Sequence, residues 1–184
     1  MNDDTEVITP DWLENMARQA QRPAIGAVGA QLLYRDNTIQ HAGIVVGVMG
    51  TAGHAERHAP ANVAGYFGRV NTVHNVLAVT GACLICRRDI YEIVGGLDES
   101  FDSAYNDVDF CLRLHRRGFH NVYVPEAKLY HLESDSWNRL PAAVRETRRR
   151  DAVQRLRERW PEYVKHDPYY NPHLTRRGER FGIG

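Results

Sequence analysis

Residues 24–34 read AIGAVGAQLLY, an apolar stretch that carries two glycines and one glutamine but no charge. Pro23 precedes it, and the turn-forming residues Arg35, Asp36, Asn37 and Thr38 follow it. An apolar run of this length between two breakers predicts a buried β-strand. A further apolar run at residues 44–48 continues the strand pattern after the turn.

Helical patterns lie on both sides of this strand in the sequence. Thr9 and Pro10 suit a helix start, and apolar residues then recur at helical spacing as far as Ala20. Asn106 suits the cap of a second helix over residues 107–117, which Gly118 ends. Shorter and longer helical patterns cover residues 89–94 and 141–160. Mixed strands and helices predict an α/β or α+β domain with one sheet.

The remaining segments complete the expected order of elements. Residues 76–86 and 121–124 are predicted strands, and residues 50–68 have glycines, prolines and no periodicity, which is typical of a long loop. Residues after Pro161 are predicted to form a tail that lies on the domain or on a partner.

Composition excludes several classes of protein. The 184 residues suffice for one domain, and 23 basic residues balance 23 acidic ones, which gives no indication of nucleic-acid binding. No run approaches the ~18–20 apolar residues of a membrane span, and the acidic N-terminus is unlike a secretory signal. Three cysteines, an odd number, favour a reducing compartment and hence the cytoplasm. We expect Cys83 and Cys86 to be core thiols.

Asn2-Asp3-Asp4 lies directly before the first predicted helix. A carboxylate at a strand end is a good ligand for Mg²⁺ or Mn²⁺, and such an ion can neutralise a departing diphosphate. A solvated acidic cluster is the alternative interpretation.

Asn106-Asp107-Val108-Asp109 places two carboxylates at the start of a helix. Residues two apart point about 200° away from each other, so only one can face a given site. Asp109 stands four residues before Arg113, and we expect a surface ion pair there. Asp107 is then available to accept a proton from a hydroxyl, since a carboxylate with a pKa of about 4 is ionised at neutral pH. The alternative is a carboxylate that only interacts with the helix dipole.

Several histidines and aromatic residues are further candidates. His131 follows a predicted strand and could complete a metal site with Asp4, or it could be a buried histidine bonded to backbone. The histidines at 41, 54, 58 and 74 invite a zinc hypothesis, but their spacing is irregular. Tyr66 and Arg69 suit stacking on a sugar or a base, although core packing explains the aromatic ring equally well.

The order of these motifs resembles that of the family 2 glycosyltransferases of the GT-A fold, especially rhamnosyltransferase-like members. The matching segments are NDDTEV at 2–7 with PDWL at 10–13, QHAG at 40–43, TGACL at 80–84 with RR at 87–88, VGGLDESF at 94–101, NDVDFCLR at 106–113, YH at 130–131 with ES at 133–134, and DPYYNP at 167–172. Together they cover nearly the whole chain.

The resemblance implies an α/β fold that is the C-terminal half of a GT-A (Rossmann-like) domain, with a mixed sheet flanked by helices. It implies that the N-terminal nucleotide-binding half is missing, so that residues 1–184 form one truncated catalytic domain. We expect a core over about residues 1–140 and a C-terminal helix and tail over 141–184. The isolated chain is then expected to be weakly active or inactive. Its unpaired sheet edge is expected to favour a homodimer.

The resemblance also implies roles for individual residues. Asp107 corresponds to the general base of an inverting displacement. Asp4 and His131 correspond to ligands of Mg²⁺ or Mn²⁺, with Asn2 in place of the first aspartate of the usual D-x-D. The expected acceptor-binding residues are Asn106, Gly81, Tyr66 and Arg69.

The implied reaction is sugar transfer from a nucleoside diphosphate sugar to a glycan or lipid-linked acceptor in cell-wall polysaccharide biosynthesis. The expected location is the cytoplasm, and the expectation extends to peripheral attachment at the inner face of the membrane. A noncatalytic glycan-binding or assembly module is the alternative, and a histidine-based metal hydrolase is a third. Replacing Asp107 by asparagine separates the first two, because only a transferase would lose turnover.

Overall fold

The computed structural model describes residues 1–101, 104–133 and 141–183. Its α-helices are α1 (Trp12–Ala20), α2 (Arg88–Ile93), α3 (Asn106–Arg116), α4 (Ala142–Arg159) and α5 (Pro161–Lys165). Its strands are β1 (Thr5–Val7), β2 (Ile25–Leu33), β3 (Ile39–His41), β4 (Ile44–Val46), β5 (Ala52–His54), β6 (His74–Val76), β7 (Leu84–Cys86) and β8 (His120–His131). Short 3₁₀ turns cover Val48–Gly50, Tyr66–Asn71 and Gly81–Cys83.

A six-stranded mixed sheet is the centre of the fold. Strands β1, β8, β2 and β3 follow one another across it, while β6 also pairs with β8 and β7 also pairs with β2. The long strands β2 and β8 run parallel, and the other pairings in this sheet are antiparallel. Strands β4 and β5 form a separate antiparallel pair. The predicted α/β architecture, a mixed sheet flanked by helices, is confirmed.

Strand β2 is buried along its whole length, as its sequence predicts. Val28 packs with Met16 of α1 in one buried cluster, while Ala27 belongs to the cluster that includes residues of α3. Gly29 is needed in the strand because a Cβ there would lie 2.5 Å from the Cβ of Val79. The sheet is therefore covered on both faces, which explains why β2 contains no charge.

Several sequence predictions of local structure are wrong. Residues 76–86 do not form one strand, because β6 pairs with β8, β7 pairs with β2, and the turn Gly81–Cys83 separates them. Thr80 stabilises the break by accepting a hydrogen bond from Ala82 N on its hydroxyl. Residues 50–68 are not a continuous loop, since β5 lies within them. Strand β8 also continues well past residue 124, as far as His131.

The predicted ion pair of Asp109 is present, but it does not lie at the surface. Its ion pair with Arg113 exists, with Nε 2.8 Å from Oδ2, but the Asp109 side chain is fully buried. Its other oxygen accepts from Trp160 Nε1 at 2.9 Å and lies 3.3 Å from Arg159 Nε. Asp109 therefore joins α3 to the C-terminal end of α4.

Helix α4 packs on the domain through its C-terminal half. Ala152 and Leu156 are buried, as predicted, whereas Val144 is exposed, so the prediction that it lies on the apolar side is wrong. The tail beyond α5 is held by Asp167, whose carboxylate accepts from Val46 N and Tyr169 N. Within the described ranges, no helix has both the length and the apolar character needed to cross a membrane. The three cysteines are unpaired thiols.

Candidate active site

Asp107 is held by backbone N–H groups from two elements. Gly81 N donates to Oδ2 at 2.8 Å, and Val108 N donates to Oδ1 at 2.8 Å. The first bond aims the carboxylate at the turn Gly81–Cys83, across from the start of α3. Burial raises the pKa of the Asp107 carboxyl above its usual value, and these hydrogen bonds partly oppose the shift. Asp107 is thus an oriented carboxylate whose proton affinity is increased.

The residue that starts this helix has a strained backbone. Tyr105 adopts φ 64°, in the left-handed region that residues with a Cβ rarely occupy. Its hydroxyl accepts a hydrogen bond from Thr51 Oγ1 at 2.6 Å, which ties it to the β4–β5 pair. Strain of this kind is retained where the surrounding structure imposes it, and it often accompanies functional sites.

The N-terminal polar residues meet His131 through the pairing of β1 with β8. Thr5 lies opposite His131 in that pairing, so the chain just before β1 passes the histidine ring. Asp4 Oδ1 is 3.2 Å from His131 Nε2, and Asn2 Nδ2 is 3.4 Å from the same nitrogen. Asn2 N also donates to Ala82 O at 2.8 Å, which fixes this segment beside the turn that bonds Asp107.

Gln40 determines which nitrogen of His131 carries the proton. Its amide nitrogen donates to the His131 carbonyl oxygen at 3.1 Å, so its amide oxygen is the atom that lies 2.6 Å from His131 Nδ1. An amide oxygen can only accept, and Nδ1 must therefore donate. In the neutral ring, the Nε2 lone pair then accepts from Asn2 Nδ2 and faces Asp4 Oδ1, which is also an acceptor. Gln40 is almost fully buried in β3, which is unusual for a glutamine, and no local sequence pattern indicates its contact with His131.

Asp4 and His131 are candidate ligands of one divalent cation. Neighbouring ligands of an octahedral ion with bonds of ~2.1 Å lie about 3.0 Å apart, which is close to the 3.2 Å between Asp4 Oδ1 and His131 Nε2. A carboxylate suits Mn²⁺ or Mg²⁺, and a neutral imidazole is a common metal ligand. Asn2 turns its amide nitrogen towards His131, and an amide nitrogen donates hydrogen bonds, so Asn2 would ligate an ion through Oδ1. Among the described residues there is no group of three or more His, Cys, Asp or Glu that could hold a metal. Water and ligand oxygens would have to complete the coordination, as is usual for Mg²⁺.

Asp107 lies between two cavities. The smaller one, of about 470 Å³, brings together five of the predicted site residues: Asn2, Gly81, Asn106, Asp107 and His131. The larger one, of about 760 Å³, is bounded by β5, Tyr105, Asp107 and one side of α4. Asp4 is connected to the smaller cavity through its contact with His131.

Tyr66 and Arg69 lie elsewhere. Tyr66 stacks on Phe181 with ring centroids 5.5 Å apart, and its hydroxyl accepts from Asn171 Nδ2 at 3.1 Å. The Arg69 guanidinium lies 5.7 Å from the centre of the Phe181 ring. Neither residue lines a cavity that Asp107 lines. Their contacts hold the C-terminal tail, and their predicted role in acceptor binding stays a prediction.

The four histidines of the zinc hypothesis separate into a pair and two others. His41 Nδ1 is 3.1 Å from His54 Nδ1, while His58 stacks on Tyr34 and His74 packs edge-on against Tyr123. Gly43 N donates to His41 Nε2, so Nδ1 of neutral His41 donates to His54, and His54 carries its own proton on Nε2. Burial lowers the pKa of His41, and burial together with nearby Arg57 lowers that of His54 to about 4. His54 lines the larger cavity as a neutral residue, a role that its sequence spacing did not indicate.

One matching segment is only partly visible. Glu133 accepts from Arg57 at 3.1 Å, whereas Ser134, the next residue of that segment, lies outside the described residues.

Comparison with known proteins yields a family and several relatives. The family model described as "Glycosyltransferase like family 2" matches residues 1–160. The chain is 46% identical over 176 residues to the uncharacterized protein y4gI of Sinorhizobium fredii, which covers 95% of this chain and 19% of that protein. It is 41% identical over 184 residues to the O-antigen biosynthesis protein RfbC of Myxococcus xanthus, which covers 95% of this chain and 14% of that protein.

A shorter match concerns a Mycobacterium tuberculosis protein named N-acetylglucosaminyl-diphospho-decaprenol L-rhamnosyltransferase. It is 40% identical over 65 residues, which is 35% of this chain and 21% of that protein. The chain thus spans about a fifth or less of the length of these relatives.

Proposed function

Because this chain belongs to glycosyltransferase family 2, we propose that it forms the acceptor-side part of a centre that transfers a sugar from a nucleoside diphosphate sugar to a glycan or lipid-linked hydroxyl. The main support is the position of Asp107, which lines two cavities while backbone N–H groups hold its carboxylate. One cavity also contains the Asn2 and His131 side chains, which supports a leaving group on that side of Asp107 and an incoming hydroxyl on the other.

Asp107 acts as the general base in this proposal. Its carboxylate takes the proton of the acceptor hydroxyl, and the hydroxyl oxygen forms the new bond to the anomeric carbon. The bond between that carbon and the diphosphate oxygen breaks on the opposite side, so the configuration is inverted. The raised pKa of Asp107 helps, because a base is most effective when its pKa is nearer the working pH. The Gly81 and Val108 N–H groups keep the carboxylate oriented as it gains the proton.

Asp4, His131 and Asn2 are the residues that would hold Mn²⁺ or Mg²⁺. Such an ion, when bound, neutralises the charge that develops on the departing diphosphate. Gln40 keeps the His131 lone pair on Nε2, the nitrogen nearest Asp4. Asn106 and Gly81 line the smaller cavity beside Asp107. They are proposed to contact the acceptor only at its attacking hydroxyl, at Asp107, which lines both cavities.

The proposal extends to the biological setting. We place the reaction in polysaccharide biosynthesis, on the basis of the name of the Myxococcus xanthus relative. The unpaired thiols favour the reducing cytoplasm, and a lipid-linked acceptor would bring the protein to the inner face of the membrane.

The test is Asp107→Asn in a polypeptide that carries this chain together with a nucleotide-binding half. Release of nucleoside diphosphate is measured over a panel of nucleotide sugars and acceptors. Loss of a general base is expected to lower turnover by about 10²–10⁴ while donor binding is retained. Asp89→Asn, on the exposed surface of α2, is the matched control and should leave turnover unchanged. Equal turnover for the Asp107 variant and the control would contradict the proposal and favour a noncatalytic module.

A further inference from the structure

One side of α4 presents arginines to the larger cavity. Arg149, Arg150 and Arg157 line it, together with Glu146 and Val153 of the same helix. Successive members of this set are one, three or four positions apart in the sequence. They therefore share one face of α4. We call Arg149, Arg150 and Arg157 the arginine face. The arginine face lines the same cavity as β5 and Asp107.

Among the described residues, only one of these three arginines forms an ion pair. Arg149 pairs with Glu146 at 3.7 Å. Arg157 Nε donates to Gly50 O at 2.7 Å, and a carbonyl oxygen carries no net charge. Arg150 has no hydrogen bond or ion pair with any residue in the described ranges. Glu179 also lines this cavity, and the hydrogen bond that it accepts from His54 N at 2.9 Å leaves its negative charge in place. Two guanidinium charges, those of Arg150 and Arg157, therefore have no acidic partner among the residues that the structure describes.

Arg157 is held in position by a close approach to Gly50. A Cβ at Gly50 would lie 2.7 Å from Arg157 Nη2, and Gly50 has φ +71°, so both the contact and the backbone favour glycine. The Nε bond to the Gly50 carbonyl fixes the plane of the guanidinium. A positioned guanidinium loses less side-chain freedom when it binds a planar or tetrahedral anion.

The side of Asp107 on which this charge lies indicates which substrate carries the anion. The candidate metal residues Asn2 and His131 line the other cavity, where the diphosphate of the donor would lie. In a single displacement, the attacking hydroxyl and the leaving group are on opposite sides of the reacting carbon. An anion in the larger cavity therefore belongs to the molecule that supplies the hydroxyl.

We infer that the arginine face binds a phosphate or diphosphate group of the acceptor, beside the hydroxyl that Asp107 deprotonates. This inference rests on the proposed function and adds the chemical class of the acceptor. Two guanidinium groups that form no ion pair with the described residues match a phosphate monoester, which carries about −1.5 to −2 charges at neutral pH, better than they match a single carboxylate.

The experiment measures pyrophosphate binding to the 184-residue chain by titration calorimetry in EDTA at low salt. The variant is Arg150→Gln with Arg157→Gln, and the matched control is Arg88→Gln with Arg148→Gln, which removes two charges that do not line the cavity. Charge-assisted hydrogen bonds are strong, so the variant should bind at least about tenfold more weakly, and the control should bind like the wild type. An equal loss in both, or no loss in the variant, would overturn the inference.

Two further binding measurements distinguish an anion on the acceptor from one on the donor or on a membrane surface. Geranyl diphosphate should compete with pyrophosphate in EDTA, with the same dependence on the two arginines. If uridine or thymidine diphosphate binds in EDTA with that dependence and geranyl diphosphate does not, the anion belongs to the donor and the inference is wrong. If the chain binds phosphatidylglycerol vesicles but not pyrophosphate, α4 is a membrane-surface contact, which also overturns it.

The outcome is distinguishable from failure of the proposed function. His131→Ala should abolish Mn²⁺ binding yet leave pyrophosphate binding in EDTA unchanged. Arginine-dependent pyrophosphate binding without any Mn²⁺ binding would support the anion site and count against the proposed metal site. Mn²⁺ binding together with pyrophosphate binding that does not depend on the arginines would support the proposed metal site and overturn the anion site.

Discussion

Asp107 and Asp109 are two residues apart, yet the structure predicts opposite consequences for replacing each with asparagine. Asp109 is fully buried, and its carboxylate meets Arg113 Nε at 2.8 Å, Trp160 Nε1 at 2.9 Å and Arg159 Nε at 3.3 Å. Removing one charge from a buried ion pair typically costs about 3–5 kcal/mol, because the remaining charge loses its partner. We take about 3 kcal/mol for Asp109→Asn, since the asparagine oxygen can still accept one of these bonds and Arg159 is partly exposed.

That loss is a large part of the stability of a domain of this size, which is usually about 5–15 kcal/mol. It should lower the midpoint of thermal unfolding by roughly 10 °C. Asp107→Asn should cost only about 1 kcal/mol, because its carboxylate accepts from the uncharged backbone N–H groups of Gly81 and Val108, and the asparagine oxygen can keep one of these hydrogen bonds. Burial also disfavours the charge of the Asp107 carboxylate, as its raised pKa indicates.

Urea unfolding at pH 7, followed by tryptophan fluorescence and circular dichroism, measures both losses. Equal losses for the two variants, or an Asp109→Asn protein within 1 kcal/mol of the wild type, would refute the role of Asp109 as the link between α3 and α4. The result would also weaken the inference about the arginine face, because Asp109 holds the helix that presents those arginines.

Three other predictions use the same chain. The pKa of His54 in the folded state is lowered to about 4, so the unfolded chain binds more protons below pH 6.5 and stability should fall as pH decreases. Relative to His54→Asn, the wild type should lose about 2 kcal/mol between pH 7 and pH 5 in urea unfolding. A difference that stays constant over this pH range would contradict the prediction. Asp167 has its pKa raised to about 6 by burial, so the folded state binds more protons than the unfolded chain. Relative to Asp167→Asn, the wild type should therefore lose about 2 kcal/mol of stability as pH rises from 4 to 7. Gln40→Leu should weaken Mn²⁺ binding by about 10–100-fold in titration calorimetry with little change in secondary structure, because His131 Nδ1 loses the acceptor that orients the ring; unchanged affinity would argue against that role.

Local sequence patterns predicted the elements whose signals are contained within them. Strand β2 lies within the predicted residues 24–34, and α3 begins within one residue of the predicted start, since an apolar run and a capped helical period are local features. Residues 76–86 were misread because an apolar run does not reveal that its two ends pair with different strands.

Asp109 illustrates a second limit of prediction from local sequence patterns. The spacing to Arg113 predicted the ion pair correctly, but it could not predict the burial, because Trp160 reaches Asp109 from a helix about fifty residues later in the chain. A helical period describes which residues are neighbours on one helix. It contains no information about which other helix covers them.

The mixed α/β class, the buried central strand and the order of the family motifs can be predicted from the sequence, because they follow from local periodicity and residue type. The contacts of Asn2 and Asp4 with His131, the bond from that ring to Gln40, and the cavity that the arginines of α4 share with Asp107 appear only in the folded chain. Each of these contacts joins residues far apart in the chain, and such contacts depend on strand register and helix packing that no local pattern encodes.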